Sequence, residues 1–108
     1  MAYDARLAER IRKQLEALPF VEKKMFGGVG FLLGGNMSVG VYQDDLVVRV
    51  DPAKSSRLLG KPHARPFDIT GRPMKGWLLV APAGVRTDSQ LRAWVKEGVE
   101  FASTLPPK

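Results

Sequence analysis

Glycine recurs among large apolar residues in MFGGVGFLLGGNMSVGV, Met25 to Val41, as it does in loops that wrap a nucleotide phosphate with backbone N–H groups. The dinucleotide form of such a loop needs G-x-G-x-x-G after a strand and before a helix, so that a helix N-terminus faces the pyrophosphate. From Gly28 the chain reads Gly28-Val29-Gly30-Phe31-Leu32-Leu33, with leucine where the third glycine belongs. Gly34-Gly35-Asn36 then favours a tight hairpin turn over a helix start. The Walker form is absent too, since no glycine precedes Lys-Ser or Lys-Thr at the required spacing. The glycines therefore read as structural, with Gly27, Gly28 and Gly30 marking a bulge or the close approach of another backbone.

The remaining reactive side chains form no constellation. There is no cysteine, so disulfides, thiolate metal sites and cysteine nucleophiles are all excluded. His63 is the only histidine, and between Pro62 and Ala64 it reads as a loop residue. Asp44-Asp45 reads as a turn former and not as a pair of catalytic carboxylates. The serines at 38, 55, 56, 89 and 103 sit in no nucleophile elbow. Asn36-Met37-Ser38 fits a glycosylation acceptor only formally, because no secretory signal accompanies it. No catalytic, cofactor-binding or metal-ligating residues are expected, and no cofactor.

Charge is the feature that points outward. The net charge is +6, and Arg49 to Lys75 alone holds Arg49, Lys54, Arg57, Lys61, Arg65, Arg72 and Lys75 against Asp51 and Asp68. Within it, Arg65, Arg72 and Lys75 interleave with Phe67, Met74 and Trp77, so cations for phosphates and rings for bases stand together. Two readings stay open. The segment is either a nucleic-acid surface, or a solvated one in which Arg65 and Arg72 pin the proline turns through carbonyls and acids such as Asp68, with Phe67 and Trp77 buried on strands.

The elements that must position these residues can be read in order. At 108 residues, 44% hydrophobic and 26% charged, the chain fits one domain spanning 1–108 with its own core. It carries no apolar run of membrane-spanning length and no secretory leader, which together suggest a cytoplasmic location. Asp4 caps a first helix with Leu7, Ala8, Ile11, Leu15 and Leu18 at helical spacing, closed by Pro19, and its charged face is mixed in sign. Val29 to Leu33 and Met37 to Val41 alternate as a hairpin, and Leu46 to Val50 makes a third strand. Asp51-Pro52 starts a short helix stopped at Gly60. A brief strand follows near Phe67-Asp68-Ile69, then a central strand over Gly76 to Ala81, apolar on both faces. Thr87-x-x-Gln90 is a capping box opening a last helix with Leu91, Trp94, Val95, Gly98, Phe101, Ala102 and Leu105 on one face.

The predicted class is α+β: a mostly antiparallel five-stranded sheet in the order α-β(3)-α-β(2)-α. MFGGVGF (Met25 to Phe31), GNM (Gly35 to Met37), RPFDITGRPMKGW (Arg65 to Trp77) and the surroundings of Trp94, Gly98 and Phe101 resemble the N-terminal domain of TfoX/Sxy proteins over nearly the whole chain. That resemblance implies a secretion-chaperone-like fold, a homodimer, and a part in regulating natural competence alongside the cyclic-AMP receptor protein. The helical C-terminal domain of the full-length regulators has no counterpart here, so a stand-alone N-terminal domain is implied. The family supplies no catalytic residues, and Met25, Phe26, Gly27, Gly28, Phe67, Met74 and Trp77 carry over as motif positions of unassigned role.

Three functional expectations follow. The first is a non-enzymatic, dimeric interaction module in transcriptional regulation, meeting a protein partner such as a component of the transcription machinery through a surface that includes Arg49, Arg65, Arg72 and Lys75. The second is direct nucleic-acid binding through Arg49–Lys75. The third is a small-ligand binder or unrecognised enzyme with a pocket near Gly27, Gly28 and Arg49.

Overall fold

A computed structural model describes residues 3–25, 27–68, 71 and 75–107. Helix α1 (Ala5–Leu15) is followed by four strands, β1 (Phe20–Met25), β2 (Gly28–Leu33), β3 (Asn36–Tyr42) and β4 (Asp45–Arg49). A 3₁₀ turn (Pro52–Lys54) leads into the short helix α2 (Ser55–Leu59), then come β5 (Ala64–Pro66), β6 (Trp77–Val80) and the long helix α3 (Asp88–Thr104). The strands form one antiparallel sheet in the order β1-β2-β3-β4-β6-β5. The α+β class is as expected, but the sheet has six strands and the order is α-β(4)-α-β(2)-α.

The additional strand is β1. Its four middle residues are exposed on both faces, so FVEKKM lacks the apolar alternation by which a half-buried strand is recognised. Backbone pairing with β2, from Phe20↔Leu33 to Met25↔Gly28, is what makes it a strand. The fifth strand also falls earlier than predicted. It covers Ala64–Pro66, and Phe67 extends the pairing through its N–H, which donates to the Trp77 carbonyl at 3.3 Å; Ile69 lies outside the described residues.

Local signals in the sequence act where expected. The Asp4 carboxylate accepts from the N–H groups of Arg6 and Leu7, and that of Asp51 from the N–H of Ala53. Both halves of the capping box are made: Gln90 N–H donates to Thr87 Oγ1 at 3.1 Å, and Thr87 N–H donates to Gln90 Oε1 at 3.0 Å. Gly34 and Gly35 take φ of 59° and 82°, the two left-handed positions of a two-residue hairpin turn joining Leu33 to Asn36. Helix α1 ends at Leu15 instead of running to Pro19, which leaves Leu18 in the following turn and 38% exposed.

All three helices pack on one side of the sheet. Leu7, Ala8, Ile11 and Leu15 of α1, Leu58 of α2, and Leu91, Trp94 and Val95 of α3 bury themselves with Val29, Phe31, Val39, Val41, Leu46, Val48, Leu78 and Val80. Each fully buried Val, Leu, Ile or Phe among them contributes about 1.5–3 kcal/mol on leaving water. Strand β6 is buried through Leu78, Leu79 and Val80 because it lies between β4 and β5, which explains its unbroken apolar run. Among the described residues no helix is long and apolar enough to cross a membrane.

Candidate functional site

Alternation along the strands sends a second set of side chains to the face that no helix covers. Met37, Val47, Phe67 and Leu79 are buried there in a cluster of their own, with Met25, Tyr42 and Trp77 half-buried around it. Phe67 sits between two rings, 6.5 Å from Tyr42 and 5.8 Å from Trp77 centroid to centroid, both tilted. Tilted rings at this spacing attract edge to face beyond the area they bury.

The glycines of the opening motif shape this face. Gly30 and Gly40 pair directly across β2 and β3, leaving a strip of bare backbone. The Met37 side chain lies along it: a Cβ on Gly30 would stand 2.7 Å from the Met37 sulfur and 2.8 Å from that of Met25, and one on Gly40 2.7 Å from Met37 Cε. These distances are far inside van der Waals contact, so glycine is required if the thioethers are to lie flat on the sheet. Gly27 has φ of 77° in the β1–β2 turn, and Gly28 is the first residue of β2. Neither is a bulge. The register shift lies one strand over, where Phe31 pairs with Val39 and Leu32 with Met37, leaving Ser38 as the extra residue; its hydroxyl donates to the Phe31 carbonyl at 2.8 Å.

The cations of Arg49–Lys75 do not form one free surface. Arg49 is held between two rings, its guanidinium carbon 5.2 Å from the Trp77 centroid and 5.4 Å from that of Phe101. Lys54 reaches Glu97 at 3.9 Å, and the Lys61 ammonium lies 5.1 Å from the Trp94 centroid, so both fasten the α2 region to α3. Arg65 bonds Asp45 at 2.5 Å on the uncovered face. From the sequence, Arg65 is expected to meet carbonyls and nearby acids such as Asp68, and Asp45 to lie in a turn; Asp45 is instead the first residue of β4 and only 8% exposed. Only the register of β4, β6 and β5 brings the two together. Lys75 and Arg57 are exposed, and Arg72, Phe26 and Met74 lie outside the described residues.

Of the predicted site residues, Met25, Arg65, Phe67 and Trp77 thus share one side of the sheet, and Arg49 links Trp77 to Phe101 of α3. Gly27 and Gly28 do not share a pocket with Arg49. Val29, next to Gly28, pairs with Val41, which pairs with Leu46, so Arg49 lies three residues along the sheet from that row, about 10 Å away and two strands across, with Gly28 on the far side of the row. His63 is an exposed turn residue with φ of 71°, and among the described residues no three His, Asp or Glu side chains gather as a metal site would require. The sequence assigns no site role to Met37, although it lies in the GNM motif, nor to Tyr42 or Asp45, because these residues become neighbours only through strand order.

Residues 13–102 match the TfoX N-terminal domain, a stretch that contains the whole sheet, α2 and most of α3. The chain belongs to the TfoX N-terminal domain family. No curated protein and no solved structure matches the chain significantly. Within the TfoX N-terminal domain, the motifs at Met25 to Phe31 and Arg65 to Trp77 are far apart in sequence, and Met25 of the first joins Phe67 and Trp77 of the second in one cluster on the uncovered face, while Val29 and Phe31 face the helices.

Proposed function

We propose that this TfoX N-terminal domain is a non-enzymatic interaction module that meets a protein partner through the uncovered sheet face, in the service of transcriptional regulation in the cytoplasm. The observation that carries the reading is the meeting of the two family motifs on a face rich in aromatic and thioether side chains and bordered by Arg49 and Arg65. Half-buried Trp and Tyr beside Arg is the composition from which protein interfaces draw their strongest anchors.

The test is affinity capture with mass-spectrometric identification, comparing the native chain with Trp77→Ala and Lys75→Glu on one side and Arg92→Glu on the helix side. One partner lost from the first two variants and kept by the third supports the reading. A partner indifferent to Trp77 and Lys75 but lost with Arg92 overturns it. The module is also read as a homodimer, and light scattering on the eluting protein should give twice the chain mass of 11.9 kDa; the single-chain mass at high micromolar concentration would remove the dimer. Direct nucleic-acid binding through Arg49–Lys75 is weakened by the engagement of Arg49, Lys54, Lys61 and Arg65 with neighbours.

A further inference from the structure

A second cationic surface lies on the opposite side of the molecule, in the groove between α1 and the beginning of α3. Helical spacing places Arg6, Arg10 and Lys13 along one side of α1, while Arg12 points elsewhere and is taken by Glu22. Asp88 and Arg92, one turn apart on α3, form the other wall. The cleft has a volume of about 510 Å³ and is lined by Arg10, Lys13, Gln14, Asp88 and Arg92, three cations against one carboxylate. A smaller cleft adjoins it through Arg10, but there Arg6 and Arg10 are balanced by Asp4 and Asp44, so the excess of positive charge belongs to the larger cleft.

The groove's internal contacts are weak. Arg10 Nη2 stands 3.4 Å from both Asp88 Oδ1 and the Arg86 carbonyl oxygen, and Asp88 is 81% exposed. Gln14 Nε2 donates to the Asp88 carbonyl at 3.3 Å, which fastens α1 to α3 and fixes the distance between the walls. Two guanidinium groups and an ammonium are therefore held about one shared space with only long contacts to give up. Among the described residues no aromatic side chain lines the groove, so none of them offers a ring on which a base could stack.

We propose that the α1–α3 groove binds phosphate groups, with Arg10, Lys13 and Arg92 as the residues that hold them. Planar guanidinium forks match phosphate oxygens bidentately, and lysine adds a mobile charge. The phosphate can belong to a small phosphorylated molecule or to a nucleic-acid backbone, and the chemistry of recognition is the same. Arg6 and Arg10 precede the residues that match the family, and the groove lies across the sheet from the motif face, so this site is independent of the protein-partner reading.

The experiment is titration of the full chain with inorganic pyrophosphate by calorimetry, and with a labelled mixed-sequence DNA duplex by fluorescence anisotropy at low and near-physiological salt. Arg10→Gln and Arg92→Gln should each weaken binding about tenfold, the loss of one charge-assisted hydrogen bond. Asp88→Asn should strengthen it, because the only carboxylate in the groove repels the ligand; a purely structural role for these residues predicts no such gain. Thermal unfolding of each variant checks that it is folded. Pyrophosphate binding with weak or absent duplex binding assigns the groove to small phosphorylated ligands. Duplex binding that pyrophosphate displaces, and that falls steeply with salt, assigns it to a nucleic-acid backbone. Failure of both ligands to bind at low salt overturns the proposal, as does duplex binding that survives Arg92→Gln but is lost in an Arg57→Gln, Lys75→Gln double variant.

Discussion

A methyl group at Gly98 would run into the carbonyl oxygen of Ser38 and lie 2.8 Å from Val39 Cγ1. That carbonyl belongs to the bulge residue of β3, and a backbone oxygen cannot turn aside as a flexible side chain can. Gly98→Ala should therefore destabilise the protein by about 1–3 kcal/mol, although alanine is the better helix former, and the shift in urea midpoint measures it. An unchanged midpoint would mean that α3 moves off the sheet at little cost. Arg65 and Asp45 make a comparable case among charged groups, with the carboxylate largely buried and the guanidinium about half-exposed. Arg65→Ala leaves that carboxylate without its partner, and we expect a loss of about 1–2 kcal/mol, below the cost of breaking a fully buried pair because water still reaches the arginine. The double variant Arg65→Ala, Asp45→Asn should recover part of it in the same urea titration.

The helices were legible because their signals are local. Asp4, Asp51 and Thr87 each satisfy N–H groups two or three residues away, so no distant partner is needed. Thr87→Ala removes one half of the capping box and should cost about 1 kcal/mol, read as a lower melting temperature. Strand β1 shows the opposite case, since its existence depends on β2, and beside the packing of Phe20 on the core it is tied to α1 by a bidentate pair, Arg12 Nε and Nη2 donating to Glu22 at 2.6 and 2.7 Å. The hydrogen bond from Arg12 holds the Glu22 carboxyl below its ordinary value, against a smaller opposing effect of burial. A carboxylate with a lowered folded-state pKa contributes its full stability above the ordinary carboxylate range and loses it as pH falls through the folded value. Glu22→Gln should thus cost about 0.5–1 kcal/mol at neutral pH, less at high salt, with the difference vanishing in strong acid. A gap between variant and native chain that is constant from neutral to acid pH would rule the pair out as its source.

At the scale of the whole molecule, one sheet serves two unlike surfaces. Strands β2, β3, β4 and β6 lie inside the sheet, while β1 and β5 form its edges, so native-state hydrogen exchange should be slowest in the four inner strands and fastest in β1, whose middle residues are exposed. Equal protection of β1 and β4 would contradict this. The amino-acid sequence by itself determined the caps, the glycine turn at Gly34-Gly35, the apolar helix faces, the α+β class and the family. Each of these depends on residues within a turn or two of one another, or on motifs that survive as strings. The tertiary structure alone decided that β1 is a strand, that Arg65 answers to Asp45, that Gly30 and Gly40 face each other beneath two thioethers, and that Arg10 and Lys13 meet Arg92 across a groove. All of these are pairings between segments distant in the chain. They are set by strand order and helix placement, which local spacing does not encode.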